Sequence, residues 1–335
     1  MTCTKNDRTL TFLGIVILIV SCACSSLPDS HKALRTDLKE DVAACRDHSR
    51  KEQAICRGLG WLLDHPADVN EWQGFLEMAG EVHIFHRFYV LSHTPREREF
   101  FRRLILSRID YLLNRHEWRV RHSGEINAYL IFARVMKDFG MQNLEYPRFI
   151  EREIVNHDRS YPYATHMNVA IAVSGLIDGI GYTSRIPFRD ILRKGTIAWY
   201  SGHPDLIPYE RFDADPRYMM EFFYMIAHEI FSMANFGDRD PRIFLDEEAL
   251  QFLQEMIPLG ISKSIEWAEV DILAELMVCA KLLRYSDCGE FEEGVRYITD
   301  AQEEDGSFGT SLRAAQMGMS EVTRHVVVMA LWALQ

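Results

Sequence analysis

Six stretches of the sequence are apolar on nearly every side of a helix. They are EVHIFHRFYVL (81–91), EINAYLIFARVM (125–136), HMNVAIAVSGLI (166–177), EFFYMIAHEIFSM (221–233), EVDILAELMVCAKLL (269–283) and EVTRHVVVMALWAL (321–334). A helix that is apolar all round must be covered on most sides. The six start at Glu81, Glu125, His166, Glu221, Glu269 and Glu321, a recurrence of roughly 40–55 residues that marks a repeat architecture. Between them run amphipathic stripes: Ile55, Leu59, Leu62 and Leu63; Phe101, Ile105, Ile109 and Leu112; Leu250, Leu253 and Ile257; Phe291, Val295 and Ile298. Each stripe carries charges on its opposite face, as a half-exposed helix should. Few segments show the period-two alternation of strands. The expected fold is therefore all-α, with one exposed helix alternating with one buried helix about six times. The simplest object of this kind is a double ring of six inner and six outer helices; an open helical solenoid is the alternative. KDFG (137–140) and ANFG (234–237) close two of the inner segments, with Gly where a helix takes a left-handed cap.

The run Ala301-Gln302-Glu303-Glu304-Asp305-Gly306-Ser307-Phe308-Gly309 resembles the turn that joins an outer to an inner helix in terpenoid cyclases and protein prenyltransferase β subunits. Glu321-Val322-Thr323-Arg324-His325 and the following Ala330-Leu331-Trp332-Ala333-Leu334 continue the likeness, and Ile55-Cys56-Arg57-Gly58-Leu59-Gly60-Trp61-Leu62-Leu63 resembles a first helix of the same superfamily. The resemblance implies an α/α toroid over residues 46–335. It implies little about activity, since one fold hosts many chemistries.

The first residues carry a different signal. Lys5 and Arg8 precede an apolar run, Leu10 to Val20, shorter than the roughly 20 residues of a membrane span and suited to a secretory core. Its end, Ile19-Val20-Ser21-Cys22, resembles a bacterial lipoprotein signal. That resemblance implies a signal peptide at residues 1–21, lipid on Cys22, and the membrane as a partner through this anchor. Ala23 in place of Asp implies the outer membrane, facing the periplasm, in a Gram-negative cell. An ordinary signal peptide or a short uncleaved anchor is the alternative. Residues 22–45 read as a tether and first helix. Beyond Cys22 stand Cys24, Cys45, Cys56, Cys279 and Cys288, an odd number with no metal-type spacing and no dense disulfide framework. The formal charge of −12 leaves no cationic surface for a phosphate backbone, so nucleic acid is not an expected partner.

Chemical motifs are incomplete. A zinc-protease helix needs histidines at i and i+4; His228-Glu229 is followed by Ser232 at the second position. Asp213-Ala214-Asp215-Pro216 lacks the last carboxylate of the class II cyclase motif and reads as a turn into the next helix. Against the prenyltransferase zinc set of Asp, Cys and His, His325 and Asp271 fall at matching places, but Leu273 stands where Cys is required. Cys288-Gly289-Glu290-Phe291 lacks the glutamine of a thioester motif.

What remains is a set of polar residues on apolar segments: Glu81, His83, His86, Glu125, His166, His228, Asp271, Glu275 and His325. A buried lone charge costs several kcal/mol unless it is paired, hydrated or liganded. Glu125, His166, His228, Asp271 and His325 are the candidate cavity residues for a small ligand, peptide, glycan or lipid. His228, Asp271 and His325 are the candidate ligands of a metal ion in a metal-dependent enzyme. The competing reading is a hydrated lining, with Glu125, Glu269 and Glu321 as helix-capping residues.

Overall fold

A computed structural model describes residues 49–67, 72–115, 118–141, 143, 145–160, 167–308 and 322–335. Among them every regular element is helical and no strand occurs, as expected from the periodicity.

The starts of the helices are written in short polar pairs. Helix α1 (Arg50–Asp64) opens on a capping box in which Ser49 and Glu52 each satisfy the other's backbone N–H. After α2 (Trp72–Leu91), α3 (Pro95–Arg115) repeats the device: the Thr94 N–H donates to Glu97 Oε2 at 3.2 Å and the Glu97 N–H to Thr94 Oγ1 at 3.3 Å. Helix α4 spans Ser123–Asp138. Helix α5 (Glu145–Phe149) runs through a π-helical stretch, Ile150–Val155, into α6 (Asn156–Ser160), and α7 spans Met167–Gly179. Three short helices follow: α8 (Phe188–Leu192), α9 (Thr196–Gly202) and α10 (Tyr209–Ala214). Asp215 then caps α11 (Pro216–Met233), accepting from the N–H groups of Arg217 and Tyr218. The chain ends in α12 (Glu247–Glu266), α13 (Val270–Leu283), α14 (Gly289–Asp300) and α15 (Val322–Leu334).

The six all-apolar segments are α2, α4, α7, α11, α13 and α15. Each packs against the next in that order, and α15 packs against α2. Burial follows the sequence pattern: every residue from Val270 to Ala280 is buried. The amphipathic helices lie against them. Helix α1 packs on α14 and α15, α3 on α2, the π-helical stretch on α4, and α12 and α14 on α13. Between α7 and α11 the expected single outer helix is broken into α8, α9 and α10. Pro187, Pro204 and Pro208 fall there, and proline cannot continue a helix past its first turn.

Two other expectations shift. Helix α2 begins at Trp72, so Glu81 lies mid-helix rather than at a start. Phe75, Met78, Ala79 and Val82 are all buried along one face, which extends the helix upstream of the all-round apolar stretch. Gly140 (φ +61°) caps α4 as the sequence implies, with Met141 N–H bonded to the Met136 carbonyl. In α11 the capping place is taken by Asn235 (φ +46°) instead, and Phe236 (φ +54°) and Gly237 (φ +96°) follow it in the same region.

The Gln302–Phe308 turn ties α14 to α1. Gln302 Nε2 donates to the Ala54 carbonyl at 2.9 Å and to the Gly306 carbonyl at 3.0 Å, and Phe308 is fully buried. Gly306 has φ +97°, and a Cβ there would stand 2.5 Å from the Arg57 carbonyl oxygen, so only glycine fits.

Candidate functional site

Asp271 and Glu275 are one helical turn apart on α13, the spacing that puts two side chains on one face. Helix α15 packs beside α13 and delivers His325 to that face. His325 Nε2 lies 3.2 Å from Glu275 Oε1 and 3.5 Å from Asp271 Oδ1. From the other flank, α11 brings His228, whose Nε2 is 3.7 Å from the same Glu275 oxygen. One ligand atom from each of Asp271, Glu275 and His325 can be chosen so that all three lie within 4.8 Å of one another.

Burial grades across the cluster. Glu275 is wholly buried, while the side chains of His228 and His325 are 28% and 40% exposed. The carboxylates thus form a floor that a ligand reaches past the imidazoles. Glu275 Oε2 is buried without a hydrogen-bond partner, a spare acceptor at the base of the site.

Electrostatics couple the members. Burial alone would lower the His325 pKa, but the charge of Asp271 and the hydrogen bond to Glu275 prevail and raise it to about 9. Burial alone would raise Glu275, but the adjacent His228 and His325 hold it well below the usual carboxylate range. The cluster thus carries an imidazolium clasped by two carboxylates at neutral pH. Tyr224, one turn before His228, sits with its ring centroid 3.9 Å from that imidazole and limits its rotation.

Of the three metal candidates, Asp271 and His325 converge, but with Glu275 rather than His228 as the third member of the group; His228 approaches only Glu275, at 3.7 Å, because it arrives from the opposite flank on α11. The structure does not bring Glu125: that carboxylate accepts from the Arg121 and His122 N–H groups at 2.5 and 3.1 Å and caps α4. His166 lies outside the described residues, as do Glu321, Cys22, Cys24 and Cys45. Glu229, beside His228, points away and accepts from the N–H groups of Thr196 and Ile197 at the start of α9, so His228-Glu229 is no zinc-protease pair. Glu81 is consumed elsewhere, ion-paired to Arg108 and Arg324. Arg324 also holds Glu77 at 3.1 Å.

The residue that sequence reasoning underweights is Glu275, which touches both histidines. Its signal was the i, i+4 relation to Asp271 on an otherwise apolar helix. As a donor set, two carboxylates and one or two imidazoles suit zinc or another first-row divalent ion.

The model of one family, described as "Domain of unknown function (DUF6895)", matches residues 49–328. No curated protein and no solved structure matches the chain.

Proposed function

Because the chain belongs to the DUF6895 family, whose description assigns no activity, we propose a function from its geometry: a metal-dependent enzyme on an α/α toroid, exported and lipid-anchored through Cys22. The single observation that carries the metal is the convergence of Asp271, Glu275 and His325 from two helices, with donor atoms within 4.8 Å of one another. The unpartnered Glu275 Oε2 fits this reading, since a buried carboxylate oxygen with no donor is costly unless something binds it. Bound there, a divalent ion would polarise an oxygen-bearing ligand or lower the pKa of a water. His228, 3.7 Å from the Glu275 carboxylate and partly exposed, is placed to accept a proton from that water as a general base.

The toroid reading is supported by the packing circuit, in which each all-apolar helix contacts its successor and the last contacts the first. An open solenoid has no such return contact. The anchor reading rests on the first 22 residues of the sequence, and among the described residues no helix is long and apolar enough to cross a membrane.

A second reading keeps the site metal-free, as a charged pocket for a small ligand. It is favoured by His325, whose positive charge already balances one of the two carboxylates.

Metal analysis of protein lacking residues 1–22 separates the two. The metal reading expects one tightly held divalent ion per chain, a lower melting temperature after chelation, and loss of both in His325→Ala. A chain purified without metal that takes up none on titration with zinc or manganese would leave the pocket reading. Cys22→Ser is expected to move the protein from the membrane fraction to the soluble fraction; a variant that still sediments with membranes would end the anchor proposal.

A further inference from the structure

The exit of α11 and the last turns of α2 and α4 form a second polar cluster that shares no residue with the first. At its centre is the turn Asn235-Phe236-Gly237-Asp238. Arg134 donates to the Asn235 carbonyl at 2.6 Å and lies 3.1 Å from the Asp238 carboxylate. Arg87 donates to the Gly237 carbonyl at 2.9 Å and approaches Asp238 at 3.5 Å. The Phe236 ring meets His83 edge-on at 5.5 Å and Phe231 at 6.3 Å, with the Arg134 guanidinium 5.9 Å from its centroid. Trp332 closes the same pocket, 4.7 Å from His83 and 5.4 Å from Phe231. The turn therefore offers two things to this pocket: an aromatic ring and, two residues on, a carboxylate.

The fit is imperfect in two independent ways. His83 Nε2, Arg87 Nε and Arg134 Nε are buried without hydrogen-bond partners, and His83 and Arg134 are themselves 4% and 2% exposed. A buried donor normally finds an acceptor, so the pocket has more donor capacity than the turn fills. The turn in its place is strained at Phe236, a bulky residue held at φ +54°. Phe236 is also only partly buried, which leaves it free to be displaced outward.

We infer that Phe236 and Asp238 are a built-in surrogate ligand, occupying a pocket of His83, Arg87, Arg134, Phe231 and Trp332 that recognises a small aromatic carboxylic acid. Arg134 Nη2 is held by His83 Nδ1 at 2.7 Å, so the carboxylate is taken by the Nη1 arm of Arg134 together with the Arg87 guanidinium, the groups that hold Asp238 now. The ring replaces Phe236 between His83 and Phe231. Binding requires the turn to leave, so the natural chain holds its ligand more weakly than the bare pocket would.

The test uses 3-phenylpropionate as the probe, with 3-phenylpropanamide and propionate as half-matched controls. The double variant Phe236→Gly/Asp238→Asn removes both surrogate groups and relieves the left-handed phenylalanine. It is expected to bind 3-phenylpropionate at least about tenfold more tightly than the natural chain, the factor set by the competing turn. Neither control should bind comparably, and adding Arg134→Gln should abolish the gain. A folded double variant that binds no more tightly than the natural chain, or that binds the amide equally well, overturns the inference. Should the double variant not fold, hydrogen exchange on the natural chain decides: saturating 3-phenylpropionate is expected to speed exchange at residues 235–238, and unchanged exchange there overturns it.

Discussion

His325 is the residue on which the candidate site turns. Its folded pKa of about 9 exceeds the unfolded value of about 6.5. A group raised in this way adds stability that is fully present below about pH 6.5 and is lost as pH climbs through about 9. Metal-free protein should therefore weaken over that interval, and nuclear magnetic resonance should find the His325 imidazole still charged at neutral pH. Asp271→Asn removes the largest contribution holding that proton and should move the titration back toward 6.5; an unmoved titration would show that Asp271 is not the partner. A metal must displace the same proton, so apparent zinc affinity should rise about tenfold per pH unit below the His325 pKa. Calorimetric titration at two pH values checks this, and a pH-independent affinity would remove His325 from the ligand set. Asp271, His228 and His325 are legible in the sequence because a polar residue on an all-apolar segment needs a partner. The central place of Glu275 is not, because one helix's periodicity gives its own face but not which faces of its neighbours meet it.

At the scale of elements, the last turns of α2 carry buried histidines that stay neutral. Burial first, and then the charges of Arg134 and Arg87, lower His86 to about 4. Asp138, half-exposed and 3.5 Å away, does not reverse this. Here the sign is opposite to that of His325: a depressed histidine costs nothing above about pH 6.5 and destabilises as pH falls toward 4. His86 is almost wholly buried, so the loss approaches roughly 3 kcal/mol across that interval. Urea unfolding at pH 7 and pH 4.5 should show most of it, and His86→Gln should make the difference smaller without abolishing it, because His83 is depressed in the same direction; an equally steep loss in the variant would place its origin elsewhere. The Gln302–Phe308 turn makes a second test. Gly306→Ala meets both a positive φ and the Arg57 carbonyl, and should cost about 2 kcal/mol or more. Unchanged stability would mean that the turn is not seated on α1 as described. This turn was readable from the sequence because its glycine and buried phenylalanine occur in a recognised order. The broken stretch from α8 to α10 was not, because its apolar residues follow no single period between its prolines.

For the molecule as a whole, the sequence carried the class and the order of helices. Six segments too apolar to face water must shelter one another, and they do pack in succession, with α15 against α2. That return contact is a tertiary fact that no repeat length dictates, since a solenoid has the same period. If the return is a ring, the helices that carry His228, Asp271, Glu275 and His325 are neighbours held from both sides, rigid enough to fix a donor set. The most direct measurement is an anomalous difference map at the zinc absorption edge from crystals of the protein lacking residues 1–22 and grown with zinc. A single strong peak between Asp271, Glu275 and His325 is the predicted result. A map with no peak there, or with zinc seated only on surface histidines, would contradict it.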